Sequence, residues 1–372
     1  MATQCEVVGT LALESDAEVA PTYEAVVAAD AGGQEYVSFE AASEVELVEQ
    51  VAEIEATVGP VTEIGEQVEM DVLSVAPGDD PRYGSTAQQK VALDHANFDA
   101  AWANDEDGSG IVVAVVDTGV RGDHEDLAGN LLPGADFVAS TGGTCSDPHT
   151  HGTHVAGILG QVDNTLGGIG GAPGVDILPV RVLNQLGSGS STVVAAGIDW
   201  AVAHGADVVN LSLGGPQSAA VTEAIDDAVA AGVTVVAAAG NCGDPNQLSK
   251  CVALNGPSFP AALPNVIAVG ALTTGENTRA SFSNNNTYID ITASGTNVDS
   301  TVSTGATTYG TKSGTSMATP FVSAVAALIL SGCSMTPADV LATIRASATV
   351  TVSGFADPTL ELVDAGAAAA AC

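Results

Sequence analysis

The chain has 372 residues, 46% of them apolar and 4% aromatic, with 42 glycines, enough for one large and one small α/β domain around a sizeable core. Eight basic residues stand against 45 acidic ones, a formal net charge of −37, which excludes nucleic acid and anionic membrane surfaces as partners. No run of 18 apolar residues is found, so no membrane span is expected. The acidic excess reads as a solubilising surface, or as adaptation to high salt, where screening relaxes the repulsion between carboxylates.

Residues 1–75 contain no basic side chain, the first being Arg82, and they read as a small α/β domain of their own. Ser43 and Glu46 form a capping box ahead of Leu47, Val51, Ile54 and Val58, which share one helical face until Gly59-Pro60 stops the helix. Val68, Met70 and Val72 alternate with Glu69 and Asp71 as in a half-buried strand, and a strand from Tyr23 to Ala28 is expected beside it. Met1 is followed by no nearby basic residue, and the apolar stretch Val7 to Leu13 is short and ends at Glu14, so no signal peptide is read in the chain as given. Val75-Ala76-Pro77-Gly78-Asp79-Asp80-Pro81 is a linker.

Residues 76–372 form the second domain. The run Ile111 to Val116 is apolar throughout, as in a parallel strand buried on both faces, and ends at Asp117-Thr118-Gly119. A helix begins at His151. Then follow a strand at 176–182, a helix at 191–204, a strand at 208–211, a helix at 219–231, strands at 234–238 and 266–269, and a helix at 318–330 opening near Pro320. That rhythm predicts an α/β fold, a doubly wound and mostly parallel sheet covered on both faces.

Three short segments carry chemistry. Ser316 stands among small residues in Gly314-Thr315-Ser316-Met317-Ala318, where a peptide backbone can approach its hydroxyl and a helix N-terminus favours a developing oxyanion. A serine hydroxyl is nearly inert at neutral pH and needs a base with an orienter. His151, in His151-Gly152-Thr153-His154, supplies the base; Asp117, at the carboxyl end of a parallel strand, supplies the orienter. Taken singly, these would be a helix cap, a structural histidine and a turn aspartate; His154 is read as structural for that reason. Jointly, in the order Asp, His, Ser, the three segments resemble the signatures of subtilisin-like serine proteases, from about Pro77 to the region of Val363.

The resemblance implies further assignments. Asn241, in Ala239-Gly240-Asn241 after the 234–238 strand, would donate its amide to the oxyanion with the Ser316 N–H. Gly187-Ser188-Gly189 and Ser212-Leu213-Gly214 would hold an extended substrate as an added strand. Leu213, Gly214, Ala238 to Gly240 and Ser258 would surround the side chain before the scissile bond, and since none is charged an uncharged occupant is expected. Val162, Asn164, Leu166 and Gly168 would share a structural Ca²⁺ with Asp126, and with Gln88 or Gln89. The N-terminal domain would be an inhibitory propeptide, with a fused binding module as the alternative. The expected protein is then a secreted, monomeric serine endopeptidase made as an autoprocessed zymogen and acting on proteins or peptides, the runner-up being a catalytically silent binding protein of the same fold. Six cysteines favour an oxidising compartment. Of fifteen possible connectivities, Cys242–Cys251 with Cys333–Cys372 is preferred, leaving Cys5 and Cys145 open.

Overall fold

The computed structural model describes residues 86–372 except 105, 139–145, 165 and 246–252, together with residues 6–7, 22–28, 34–40, 47, 50, 51, 54, 61–66 and 69–72. Its centre is a ten-stranded sheet, in the order Glu6–Val7, Ala135–Asp136, Asp176–Arg181, Val112–Asp117, Val208–Leu211, Thr234–Ala238, Ile267–Leu272, Ile291–Ser294, Glu361–Leu362 and Val350–Thr351. All pairs are parallel except the last, which is antiparallel. The Val112–Asp117 strand shows why an unbroken apolar run is needed. Val113 and Val115 enter the core on one face, and Ala114 and Val116 enter the core on the other, because successive side chains point to opposite faces.

The first core lies under helices His151–Gly160, Thr315–Gly332 and Pro337–Ser347, and includes Phe98 and Phe321, whose rings are tilted against each other 6.0 Å apart. The second lies under helices Ser191–Ala203 and Ala219–Ala230. Thr315–Gly332 is long and apolar enough to cross a membrane by length and composition, but 83% of it is buried within the protein, as a core helix. It begins three residues earlier than the sequence reading put it. Ser316 is its second residue and Pro320 lies inside it, where the missing N–H removes one helical hydrogen bond, to the Ser316 carbonyl, which accepts from Ser212 Oγ instead.

The N-terminal strands Thr22–Ala28, Gln34–Glu40 and Val61–Glu66 form a separate antiparallel sheet with Thr22–Ala28 in the middle. Leu47, Gln50, Val51 and Ile54 are helical, and Ile54 is buried. The strands Thr22–Ala28 and Val61–Glu66 lie against helix Ala219–Ala230, and Gln34–Glu40 lies against Ser191–Ala203. The strand read around Met70 spans Glu69–Val72 and does not pair with Thr22–Ala28; the latter's neighbours are Gln34–Glu40 and Val61–Glu66. Glu69–Val72 joins a different sheet, described below. Cys333 and Cys372 form the expected disulfide. Cys242 is also disulfide-bonded, to a residue outside the described set; Cys5, Cys145 and Cys251, and so the remaining pairings, lie outside the described residues.

Candidate active site

The strand Val112–Asp117 delivers Asp117 to the edge of the helix His151–Gly160. His151 Nδ1 donates to both carboxylate oxygens, at 2.8 and 3.0 Å, and both side chains are fully buried. Such an approach needs a glycine next to the histidine: a Cβ on Gly152 would stand 2.2 Å from the Gly119 carbonyl oxygen. With Nδ1 donating to Asp117, Nε2 is left as the acceptor of the neutral ring. It is buried and makes no hydrogen bond among the described residues.

Ser316 is carried by the helix Thr315–Gly332, which packs against His151–Gly160 in the same core. Its Oγ donates to the Ser212 carbonyl at 2.9 Å, and Ser212 Oγ donates back to the Ser316 carbonyl at 2.9 Å. The second bond follows from sequence: the Ser316 carbonyl would ordinarily accept from the N–H four residues on, and that residue is Pro320, which has none. Asn210 Nδ2 then donates to Ser212 Oγ at 3.0 Å, and Ser323 Oγ to Asn210 Oδ1 at 2.9 Å, tying the strand end to the helix. No hydrogen bond joins Ser316 to His151 among the described side chains.

Asn241 is turned toward this point by its oxygen. Oδ1 accepts from Thr315 N at 2.9 Å and from Thr315 Oγ1 at 3.0 Å, so Nδ2 faces away from those groups; it is buried and without a partner among the described residues. The turn that carries it is held by Asn284, whose Nδ2 donates to the Ala239 and Gly256 carbonyls at 2.8 and 3.0 Å and whose Oδ1 accepts from Cys242 N at 2.8 Å. Gly240 has φ +104°, and a Cβ there would meet Asn284 Nδ2 at 2.5 Å and Ser258 Cβ at 3.0 Å, which places Ser258 against that turn.

The two expected cleft segments are brought together by a strand of the chain itself. Glu69–Val72 is the middle of a three-stranded antiparallel sheet between Ser188–Ser190 and Leu213–Gly214. Met70 faces Gly189, Asp71 faces both Ser188 and Gly214, and Val72 faces Leu213. Two expected members of the cleft do something else. Gly187 is a turn residue with φ +79°, donating to the Asn184 carbonyl at 3.0 Å, and Ser190 takes the third pairing position. Ser212 is bound to Ser316, and the Leu213 side chain is buried in the second core, so Leu213 offers only backbone.

Asp126 and the 162–168 loop also meet. Val162 N donates to the Asp126 carbonyl at 3.0 Å, while Asp126 Oδ2 accepts from Gln161 Nε2 at 2.6 Å, Gly168 N at 2.9 Å and Tyr309 OH at 3.3 Å. Asp126 Oδ1 is buried and makes no hydrogen bond among the described residues. Asn164 Oδ1 accepts from Leu166 N at 2.8 Å, and an amide oxygen retains a second lone pair. Among the described residues no three His, Cys, Asp or Glu side chains cluster. A carboxylate oxygen without a partner among the described residues, an amide oxygen with a spare lone pair and backbone carbonyls form a donor set that suits a hard cation with one carboxylate ligand. The side chains of Gln88 and Gln89 lie outside the described residues.

Other residues that shape the site were not singled out from sequence. Asp147 is buried, and its Oδ1 accepts from Thr118 Oγ1, His149 N and Thr150 N at 2.8, 3.1 and 2.8 Å, its Oδ2 from Thr153 N at 2.8 Å. It therefore caps the helix that starts at His151, while Thr118 Oγ1 accepts from Gly152 N at 2.9 Å. An aspartate four residues before a helical histidine was the available signal. His154 is held by backbone: Nε2 lies 3.0 Å from the Val298 and Gly310 carbonyls, and burial holds its pKa well below the usual imidazole range. Those carbonyls belong to the hairpin Val298–Thr301 and Tyr309–Lys312, which leads directly into Ser316. Asp299 of that hairpin is buried, and desolvation pushes its carboxyl up to about 7.

Residues 108–364 match the subtilase family, Peptidase_S8. The chain belongs to that family, a class of subtilisin-like serine proteases. It is 42% identical over 225 residues to subtilisin E of Bacillus subtilis, a match spanning 60% of this chain and 56% of that protein, so the chain spans little more than half the length of this relative. It is likewise 42% identical over 225 residues to a subtilisin of Bacillus pumilus, spanning 60% of this chain and 78% of that one. The crystal structure of a cold adapted subtilisin-like serine proteinase superposes with a TM-score of 0.61 at 36% identity, covering 70% of this chain and 90% of the other.

Proposed function

We propose that this chain is a serine endopeptidase in which Ser316 attacks the scissile carbonyl, His151 takes and returns the proton, and Asp117 orients the ring. One observation carries it: His151 Nδ1 is gripped by Asp117 while the buried Nε2 is uncommitted. Rotation of the Ser316 hydroxymethyl from the Ser212 carbonyl toward Nε2 makes the reactive pair, and apo catalytic hydrogen bonds are often long or absent before substrate binds. Asn241 Nδ2 and the Ser316 N–H then receive the oxyanion. The side chain ahead of the scissile bond is uncharged, lodged near Gly240 and Ser258. The second reading, a silent binding protein, is favoured only by the Ser316–Ser212 bond and predicts peptide binding without turnover. Casein hydrolysis at neutral to alkaline pH, blocked by serine-directed phosphonylation, supports the protease; peptide binding with no hydrolysis would support the alternative.

The N-terminal 75 residues act, in this reading, as an inhibitory propeptide, supported by the Glu69–Val72 strand lying between the two cleft segments. Asp71 faces Gly214 and Val72 faces Leu213, so the described strand ends between the cleft segments just ahead of the linker. Self-cleavage is expected in the Leu73 to Asp80 region, where Ser74-Val75-Ala76 are small and uncharged. A short tether gives effective concentrations of about millimolar, so even weak product affinity keeps the cleft occupied. Intact mass of wild type should show cleavage within the Leu73 to Asp80 region, and Ser316→Ala should stay whole. A wild type that is full length and active would contradict this. A Cys5–Cys145 disulfide would keep the released segment attached until reduction.

Asp126 Oδ1, Asn164 Oδ1 and carbonyls at 162, 166 and 168 are proposed to hold Ca²⁺, which would clamp this loop to the hairpin residue Tyr309. EDTA is then expected to lower the melting temperature of wild type and to leave Asp126→Ala unaffected; equal sensitivity of both would place any ion elsewhere. Extracellular location and a monomeric state complete the proposal, supported by the disulfides at Cys242 and Cys333–Cys372, with no nucleic acid or membrane partner given the charge of −37.

A further inference from the structure

Asn210, Ser212, Ser316 and Ser323 are fully buried polar residues where the strand Val208–Leu211 and its continuation pack against the helix Thr315–Gly332. Asn210 shares a face of its strand with Val208, which enters the first core, while Val209 and Leu211 enter the second. Ser323 stands seven residues after Ser316, two turns along the same face of the helix. An amide buried in such a core has to find its hydrogen-bond partners locally. Asn210 finds both of them in serines.

The proton direction along this row is fixed from its Ser316 end. The Ser316 carbonyl can only accept, and Pro320 denies it the helical donor. Ser212 Oγ, 2.9 Å away, must therefore donate to it. A hydroxyl carries one proton, so the other neighbour of Ser212 Oγ, the Asn210 amide at 3.0 Å, must present Nδ2. Asn210 Oδ1 is then turned to Ser323 Oγ at 2.9 Å, which must donate in its turn. The Ser323 proton is thus the one that sets the amide. With no donor at position 323, a turned amide presents Oδ1 to Ser212, the Ser212 hydroxyl follows it, and the Ser316 carbonyl loses this donor.

We infer that Ser323 is a positioning residue for the reaction. Through Asn210 and Ser212 its hydroxyl holds the Ser316 backbone, and with it the nucleophilic Oγ and the N–H that receives the oxyanion, in reactive register. The inference rests on the proteolytic reading above. Ser323 is buried two turns from the nucleophile and reaches it only by way of the Ser212 hydroxyl. The cleft backbone is held separately, since Leu213 is buried in the second core and Gly215 pairs with Phe259. Small misplacements of a reacting group are costly to turnover, whereas substrate binding should hardly change.

A double-mutant cycle tests this with the full chain as purified: kcat and KM for one fluorogenic peptide, per titrated active site, in wild type, Ser323→Ala, Ser212→Ala and the double variant. Ser323→Ala should lower kcat by about tenfold, the effect of one hydrogen bond, and leave KM nearly unchanged. Ser212→Ala should lower kcat at least as much. In that background the Ser316 carbonyl has already lost its donor, and adding Ser323→Ala should change kcat by less than about twofold. An alanine that acted only by loosening the core would lower kcat by the same factor in both backgrounds. That result, or a Ser323→Ala kcat equal to wild type, would overturn the inference while leaving the protease intact. Ser323→Cys keeps the side-chain shape and offers only a weak donor, so the same comparison with cysteine decides if the alanine variant does not fold. Absence of hydrolysis by wild type would overturn the proteolytic reading and this inference with it.

Discussion

Alanine at position 316 is expected to remove hydrolysis of unfolded protein almost completely, lowering kcat by about 10⁶-fold, a magnitude carried over from subtilisin. The fold should survive. The substitution deletes the hydrogen bond from Ser316 Oγ to the Ser212 carbonyl and retains the reciprocal bond, which uses the Ser316 backbone. The loss of one such bond costs about 1 kcal/mol, a few degrees of melting temperature at most in a chain of this size. Casein turnover measured beside a thermal melt separates the two effects. Undiminished turnover by a folded variant would remove Ser316 from the reaction.

Asn241→Ala is expected to lower kcat by about 10²–10³ with little change in KM, again the scale known for a side-chain oxyanion donor in subtilisin. Here the geometry adds a complication, because Asn241 Oδ1 also receives Thr315 N and Thr315 Oγ1. Alanine removes those bonds along with the donor, and a disturbed helix start could mimic a lost oxyanion hole. Asn241→Asp distinguishes them: one carboxylate oxygen can keep both Thr315 bonds, while the other places negative charge where a donor is needed. It should therefore lose at least as much kcat as the alanine variant. An aspartate variant with near wild-type kcat would mean that Asn241 acts only through Thr315.

Much of the central sheet was legible because its strands are buried on both faces. Val112–Asp117 and Thr234–Ala238 read as strands for the same reason that they pack as strands: each side chain has a core to enter. Helix lengths were off by a few residues where caps decided them. The start of Thr315–Gly332 was misplaced because Pro320 suggests a helix opening, whereas here it lies inside the helix and frees the Ser316 carbonyl for Ser212. Of the short strands, Ser188–Ser190 and Leu213–Gly214 were indicated only through the resemblance, and the Val298–Lys312 hairpin was missed, because each has too few residues for a period to show and their pairing is set by distant segments.

For the candidate site, His151 and Ser316 stood out for their runs of small residues, Asp117 for its place at the end of a buried apolar strand, and Asn241 through the family resemblance. Sequence pattern did not point to Asp147, Thr118 or Asn284, which hold those groups in place. Their work is done by ordinary carboxylate, hydroxyl and amide hydrogen bonds to backbone, and nothing in the local sequence marks which amide a distant Asn will receive. Glu69–Val72 shows the same limit. Its alternation revealed a strand, but only the register showed that its neighbours are Ser188–Ser190 and Leu213–Gly214 and not Thr22–Ala28.

The central claim is that Ser316 is the activated nucleophile, and mapping a covalent adduct tests it most directly. Wild type treated with a fluorophosphonate, digested and analysed by peptide mass should carry one phosphonyl group, on Ser316. Labelling should be lost in Asp117→Asn, where the imidazole loses its orienting carboxylate. A protein that hydrolyses casein with Ser316 unmodified, or that is labelled equally at other serines, would contradict the account.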